Sequence, residues 1–307
     1  MKLHQLRYIY EVANHDLNVS DAADALYTSQ PGVSKQIRLL EDEVGVPIFV
    51  REGKRLTQIT PAGKEILSRA GSILREVDSI KQIGNEYKNK QSGTLIIATT
   101  HTQARYALPE VIKTFLKEFP DVKLFLKQGY PEEIVDMVVE GEADIVIATE
   151  AVSYAKELVS LPCYKWNRCA LMLPKHPLLQ KKKITLPQLA EFPLITYDFA
   201  FAGRTLVSET FADAGIEPNI VFTALDSDVI KTYVELGLGI GLVARMAFDP
   251  KKDRALRMVD LGHLFKPSTT WLGLRKSSFL RSYVYQFIQL FAPHLDTKTV
   301  KAAVSIN

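Results

Sequence analysis

"SDAADALYTSQPGVSKQIRLLEDEV" runs from Ser20 to Val44. Its apolar residues follow a helical period that breaks once, at Tyr27-Thr28, a gap too short for anything but a turn. The first half reads as a helix from Ser20 to Leu26, with Ser20 as N-cap. The second reads as a helix from Gln30 to Val44, with Ser29 as N-cap and Pro31 in the first turn, where a missing N–H is harmless. Val33, Ile37, Leu40 and Val44 form the apolar stripe of that helix. Gln30, Pro31, Ser34, Lys35 and Arg38 lie on its free face. Two short helices around a tight turn, the second polar and basic outside, read as a helix-turn-helix.

The flanks extend this reading. Leu3, Leu6, Ile9, Tyr10 and Ala13 give a preceding helix. Segments 47–50 and 56–59 are short strand candidates, joined by Arg51-Glu-Gly-Lys-Arg55. Such a wing would lay Arg51, Lys54 and Arg55 along phosphates. The other reading of the same residues is a small helical domain with a solvated basic hairpin. Thr60-Pro61 then opens a long helix reaching about Asn89. Ile66, Ala70, Ile73, Val77, Ile80, Gly84 and Tyr87 alternate in steps of four and three along it, a heptad seam that calls for an identical partner helix. A two-fold dimer would also suit two DNA half-sites.

Beyond a polar stretch ending at Gly93, strand and helix signals alternate. Strands are expected at 94–99, 122–128, 143–149, 158–162, 169–173, 193–197, 219–224, 239–244, 256–260 and 269–274. Helices are expected near 103–119, 131–141, 185–191, 203–214, 227–237 and 277–291. The alternation indicates α/β structure on a mainly parallel sheet, with ligands at the carboxyl ends of strands. Thr100, Thr102, Gln103 and Thr149 fall at such ends, where hydroxyls, an amide and free helical N–H groups suit an anion. Capping alone would account for one of the threonines.

Composition bounds the rest. The chain has 307 residues, 47% apolar and 24% charged, with a net charge of only +3. That is enough material for two or three domains, and any nucleic-acid role must rest on local charge. No apolar run approaches membrane-spanning length, and residues 1–16 contain no apolar signal segment, so a cytoplasmic location is expected. Cys163 and Cys169 are the only cysteines, and they match no zinc pattern. The six histidines form no helical pair, so neither a metal nor a cofactor is expected. Gly237-Leu-Gly-Ile-Gly241 follows a helix and precedes a strand, the reverse of a dinucleotide loop. Cys163, Tyr164 and His176 show no positioned base for a thiol nucleophile, so an enzyme is not expected.

The stretches 18–45 and 47–67 ("PIFVREGKRLTQITPAGKEIL") closely resemble the LysR-type transcriptional regulators, and the resemblance covers essentially the whole chain. It implies a winged helix-turn-helix over residues 1–60, a dimerising linker helix over 61–90, an effector domain over 91–295 and a C-terminal tail from 296 to 307. The implied effector domain has two α/β lobes like those of periplasmic binding proteins, and the implied assembly is a homodimer or homotetramer on promoter DNA, acting on RNA polymerase. "TTHTQARYALP" (99–109), "ADIVIATE" (143–150), "LPCYKWNR" (161–168), "PLITY" (193–197) and "DSDVIKTYVELGLGIGLVA" (226–244) are similar to the family's regulators of cysteine biosynthesis. That similarity implies a pocket of Thr100, Thr102, Gln103 and Thr149 with Trp166 nearby. It also implies acetylserine, sulfate or thiosulfate as effectors. A regulator of sulfonate or other sulfur sources is the alternative. One departure stands out: the relatives carry Thr-Gly-Arg where this chain has Ala202-Gly203-Arg204, so Ala202 offers no hydroxyl. A transport protein that binds solute and an anion-processing enzyme are the readings from other classes.

Overall fold

The computed structural model describes residues 1–53, 55–88, 91–198 and 202–305, without the side chains of 150 and 202–205. The chain divides into two compact units, Met1–Lys88 and Asn89–Asn307.

The first unit contains α1 (Leu3–Asn14), α2 (Val19–Ala25), α3 (Gln30–Val44), β1 (Phe49–Glu52), β2 (Arg55–Ile59) and α4 (Pro61–Lys88). α2 begins one residue before Ser20. Its N-cap is Asn18, whose side-chain oxygen accepts the N–H groups of Ser20 and Asp21. Ser29 caps α3 as expected, through the N–H of Gly32. Val33, Ile37 and Leu40 enter a core with Leu6, Ile9, Val12 and Phe49. Val44 is exposed, and Glu41 takes the last inward position of the stripe. β1 and β2 form an antiparallel hairpin. Thr60 then caps α4 by accepting the N–H of Gly63. A Cβ on Gly63 would lie 2.1 Å from the carbonyl oxygen of Ile48, so only glycine lets α4 approach the strand this closely. The first turns of α4, with Leu67 and Ala70, complete this core.

The second unit follows the order β3 (Gly93–Thr99), a π-helical turn (Gln103–Ala107), α5 (Pro109–Glu118), β4 (Val122–Gln128), α6 (Pro131–Val139), β5 (Ile145–Ala148), α7 (Glu150–Tyr154) and β6 (Leu158–Trp166). It continues with β7 (Arg168–Met172), α8 (Leu186–Ala190), β8 (Leu194–Tyr197), α9 (Ala202–Asp213), β9 (Ile220–Ala224), α10 (Ser227–Glu235), β10 (Ile240–Ala244) and β11 (Arg257–Asp260). β12 (Ser268–Arg275), α11 (Ser282–Phe291) and α12 (Thr297–Ser305) close it. Two five-stranded sheets result, ordered β4-β3-β5-β12-β6 and β11-β7-β10-β8-β9. Each defines one lobe.

The sheets are mixed. β12 pairs antiparallel with both β5 and β6, and β7 pairs antiparallel with both β10 and β11. These reversed strands follow from the connectivity. β6 leaves the first lobe and continues as β7 in the second, and the segment after β11 returns as β12. The second lobe is thus inserted in the first. The residues expected as a C-terminal tail instead form α12, which buries Val300 and Val304 in the first lobe's core. The helix expected over 103–119 is two pieces. Leu108 N–H reaches back to the Gln103 carbonyl at 3.0 Å, closing a π-turn, and α5 starts at Pro109. Proline has no N–H to continue the preceding ladder, which explains the break. Gly237 ends α10 with φ +81°, in keeping with its reading as a helix stop.

Candidate functional site

In the first unit, Gln30, Pro31, Lys35 and Arg38 are exposed along α3, and Ser34 is half-buried. Gln30 Nε2 donates to Ser34 Oγ at 3.2 Å, so the two groups share a face. In the wing, Arg55 is exposed and Lys54 lies outside the described residues. Arg51 has an inward partner: its Nη1 is 2.7 Å from Glu41 Oε2. Glu41 Oε1 also accepts the N–H groups of Ile48 and Phe49, at 2.9 and 3.1 Å. The phosphate contact expected of Arg51 therefore competes with a role in fixing the wing to α3. Along α4, Ala70 is buried in its own unit, whereas Ile73, Ile80 and Tyr87 are 41%, 67% and 86% exposed. Beyond its first turns the seam is uncovered by its own unit.

In the second unit, strand register brings three of the expected effector residues, Thr100, Thr149 and Trp166, to one edge. β3 and β5 run parallel, with Thr99 opposite Ile147, so Thr100 and Thr149 leave neighbouring strand ends. β12 sets Trp271 opposite Ala148 and Ser268 opposite Trp166, which brings Trp166 to the same edge. Thr100 is buried, and Thr149 is half-buried with its hydroxyl unused for capping α7. Trp166 Nε1 is a buried donor without a partner among the described residues, as are His101 Nδ1 and Asn167 Oδ1 as polar atoms. A hydrogen-bonding ligand would satisfy such groups. Ala202 opens α9, and its side chain lies outside the described ones.

Two threonines have internal tasks. Thr99 Oγ1 donates to the Ile147 carbonyl at 2.7 Å. Thr102 hydrogen bonds to Tyr197, across the seam between the lobes. Tyr197 is itself buried, 2.6 Å from Ser227 Oγ, and accepts the Ala244 N–H. Gln103 is fully engaged inside the first lobe. Its Nε2 donates to Thr270 Oγ1 at 3.1 Å, and its Oε1 accepts from the Tyr164 hydroxyl at 2.5 Å. It braces the turn against β6 and β12. Tyr164, Tyr197, Ser227 and Thr270 escape a sequence reading because each acts through strand pairing or across the lobes. Arg168 escapes it too: almost wholly buried, its Cζ is 5.2 Å from the centre of the Trp166 ring and its Nη2 donates to Ser268 Oγ. A fixed positive charge therefore stands beside the unpartnered indole.

Both thiols are buried and held towards their protonated form. Burial pushes Cys163 up to about 12, and burial followed by Asp260 does the same for Cys169. His176 packs edge-on against Phe192 and accepts the Leu178 N–H, and it shares no hydrogen bond with Cys163 among those described. His101, Asp226 and Asp228 bring ligand-type atoms within 4.8 Å of one another, a grouping invisible in the sequence. Asp226 already caps α10, and Asp228 already accepts from Arg105 and Tyr106.

Comparison with known families matches residues 3–64 to the bacterial regulatory helix-turn-helix proteins of the lysR family. Residues 88–296 match the LysR substrate binding domain. The chain belongs to the LysR family. It is 51% identical to the HTH-type transcriptional regulator CysB of Burkholderia cenocepacia over 304 residues, 99% of this chain and 97% of that protein. It is 48% identical to the regulator SsuR of the same organism over 296 residues, 96% of each chain. Among solved structures, the cofactor-binding domain of the Cbl transcriptional regulator superposes with a TM-score of 0.69 at 46% identity. That match covers 71% of this chain and 96% of that one. This LysR chain thus joins a DNA-binding head to a two-lobed ligand-binding unit. No helix among its described residues is long and apolar enough to cross a membrane.

Proposed function

We propose that this protein is a cytoplasmic activator of genes for sulfate assimilation and cysteine biosynthesis, a sensor without turnover. α3 reads promoter DNA, with Lys35 and Arg38 as the principal base contacts and Arg55 on phosphate. α4 pairs with its copy along Ile73, Val77 and Ile80, building a homodimer or homotetramer that engages RNA polymerase. The effector, acetylserine or an inorganic sulfur anion such as sulfate or thiosulfate, sits at the strand ends between the lobes. Thr100, Thr102, Thr149 and Trp166 line it, and Gln103 holds its wall. The likeness to CysB supports the sulfur assignment.

The observation that carries this reading is the buried indole N–H of Trp166, unpartnered at the edge where Thr100 and Thr149 emerge and next to the Arg168 cation. An anion there gains charge-assisted hydrogen bonds, each worth about 1.5–3 kcal/mol. The test is calorimetry of the full chain with sulfate and with acetylserine. Thr102→Val keeps the shape and loses a hydroxyl, and it should weaken binding about tenfold. Ala202→Thr should tighten sulfate. Unchanged binding in both variants would move the effector site elsewhere.

A further inference from the structure

The π-turn that follows the effector residues carries Arg105 and Tyr106 out of the first lobe and onto α10 of the second. Arg105 Nε lies 3.1 Å from Asp228 Oδ2, and the Tyr106 hydroxyl donates to Asp228 Oδ1 at 2.6 Å. Lys231, one turn along α10, is 3.1 Å from the same Asp228 oxygen and 5.2 Å from the centre of the Tyr106 ring. Behind it, Lys231 is anchored by Asp253 at 3.1 Å and by the Ala247 carbonyl at 3.1 Å. The Tyr106 ring also packs on the second lobe's apolar cluster around Ile230 and Ala247. One short turn of one lobe is therefore held by an ionic, a hydrogen-bonded and an apolar contact to the other.

The turn's backbone state and this grip depend on each other. A π-turn holds one residue more than an α-turn. Returning Gln103–Ala107 to α geometry would rotate Arg105 and Tyr106 by about 100° relative to α5 and carry both away from Asp228. At the other end of the turn, Gln103 is braced by Tyr164 and Thr270 and Thr102 bonds to Tyr197, so the effector residues and the grip share one rigid piece. A cavity of about 450 Å³ is bordered by the same groups, Arg105, Tyr106, Asp228 and Lys231, together with Met246.

We propose that Arg105 and Tyr106, closing on Asp228 and Lys231, form a latch that holds the lobes in the apposed state the effector site requires, with Tyr106 as a positioning residue that never touches the effector. This rests on the effector lying at the lobe seam. A site whose competent state is only partly populated binds more weakly by that fraction. Loosening the latch should therefore cost effector affinity at a distance.

The experiment uses full-length wild type, Tyr106→Phe, Asp228→Asn and Thr149→Val, with inorganic sulfate as probe. Calorimetry reads affinity, and amide hydrogen exchange of residues 101–108 and 226–231 reads the latch without ligand. Tyr106→Phe and Asp228→Asn should each speed exchange in both segments and weaken sulfate by about fivefold or more. Thr149→Val, at a hydroxyl not used to cap α7, should weaken sulfate while exchange in 226–231 stays as in wild type. Wild-type exchange in both latch variants overturns the latch. Faster exchange with unchanged sulfate affinity overturns its coupling to the site. If wild type itself fails to bind sulfate, the effector reading falls, and the exchange data alone still decide the latch.

Discussion

Arg51 and Glu41 form an ion pair at 2.7 Å that ties the β1–β2 hairpin to α3. The carboxylate is nearly buried and also receives two backbone N–H groups from the start of the wing. A glutamine would keep one oxygen for the two backbone N–H groups but would set an amide N–H against the Arg51 guanidinium, so the ion pair is lost. Glu41→Gln should destabilise the first unit by about 1–3 kcal/mol, a figure held low because Arg51 keeps access to water. Denaturant unfolding checks this. Arg55→Ala, by contrast, should leave stability alone and flatten the salt dependence of DNA binding by about one unit.

Base reading is assigned to the exposed face of α3. Lys35→Ala and Arg38→Ala should each reduce discrimination between promoter and unrelated DNA by about 1–3 kcal/mol. Competition binding at fixed salt measures it. Equal loss on both DNAs would make these residues phosphate contacts.

The exposed seam of α4 calls for a copy of itself. Ile73→Asp combined with Val77→Asp would place like charges across a two-fold contact, which is strongly unfavourable. Sedimentation should show a lighter species. The fold of the first unit should survive, because its core draws on Leu67 and Ala70 rather than on those two positions.

The latch has a defined pH window. Burial alone would raise the Asp228 carboxyl, but hydrogen bonds from Tyr106 and Lys231, with the charges of Lys231 and Arg105, bring it below the ordinary value. Burial alone would lower Lys231, but hydrogen bonds with Tyr106, Asp253 and Asp228 raise it. Tyr106 is pushed up to about 12, first by burial and then by Asp228, and stays a donor through neutral pH. His101 and Asp226 also face Asp228. A lowered carboxyl stabilises fully above its unfolded value near ~4 and loses that effect as pH falls through the folded one. A raised lysine stabilises fully below about 10.4 and loses the effect as pH climbs through its folded value. The melting-temperature gap between wild type and Asp228→Asn should therefore be level from about pH 5 to about pH 10 and close under acid.

Periodicity and caps made the first unit legible almost residue by residue: α3 spans Gln30 to Val44 with Ser29 as its cap, as read. Asn18 displaced Ser20 because both residue types cap well and only the backbone trace decides between them. In the second unit each expected strand recurs, most within a residue or two of its bounds, while strand direction was not legible, since β7 and β12 reverse only because the chain passes between lobes. α7 and α12 are short and carry weak signals. The threonines at strand ends could be found from local sequence. The Tyr164–Gln103–Thr270 brace and the Arg168 charge could not, because their partners are distant in the chain.

The insertion of one lobe within the other has a mechanical consequence. A lobe attached by a single strand could swivel about that strand. Here the chain crosses at Asn167 and again between Asp260 and Ser268, so the second lobe hangs on two pins. Two pins suppress torsion and leave a flexing motion about the line that joins them. Relative movement of the lobes thereby reduces to nearly one coordinate, opening or shutting the strand-end gap. A molecule lodged there need supply only enough free energy to bias one angle.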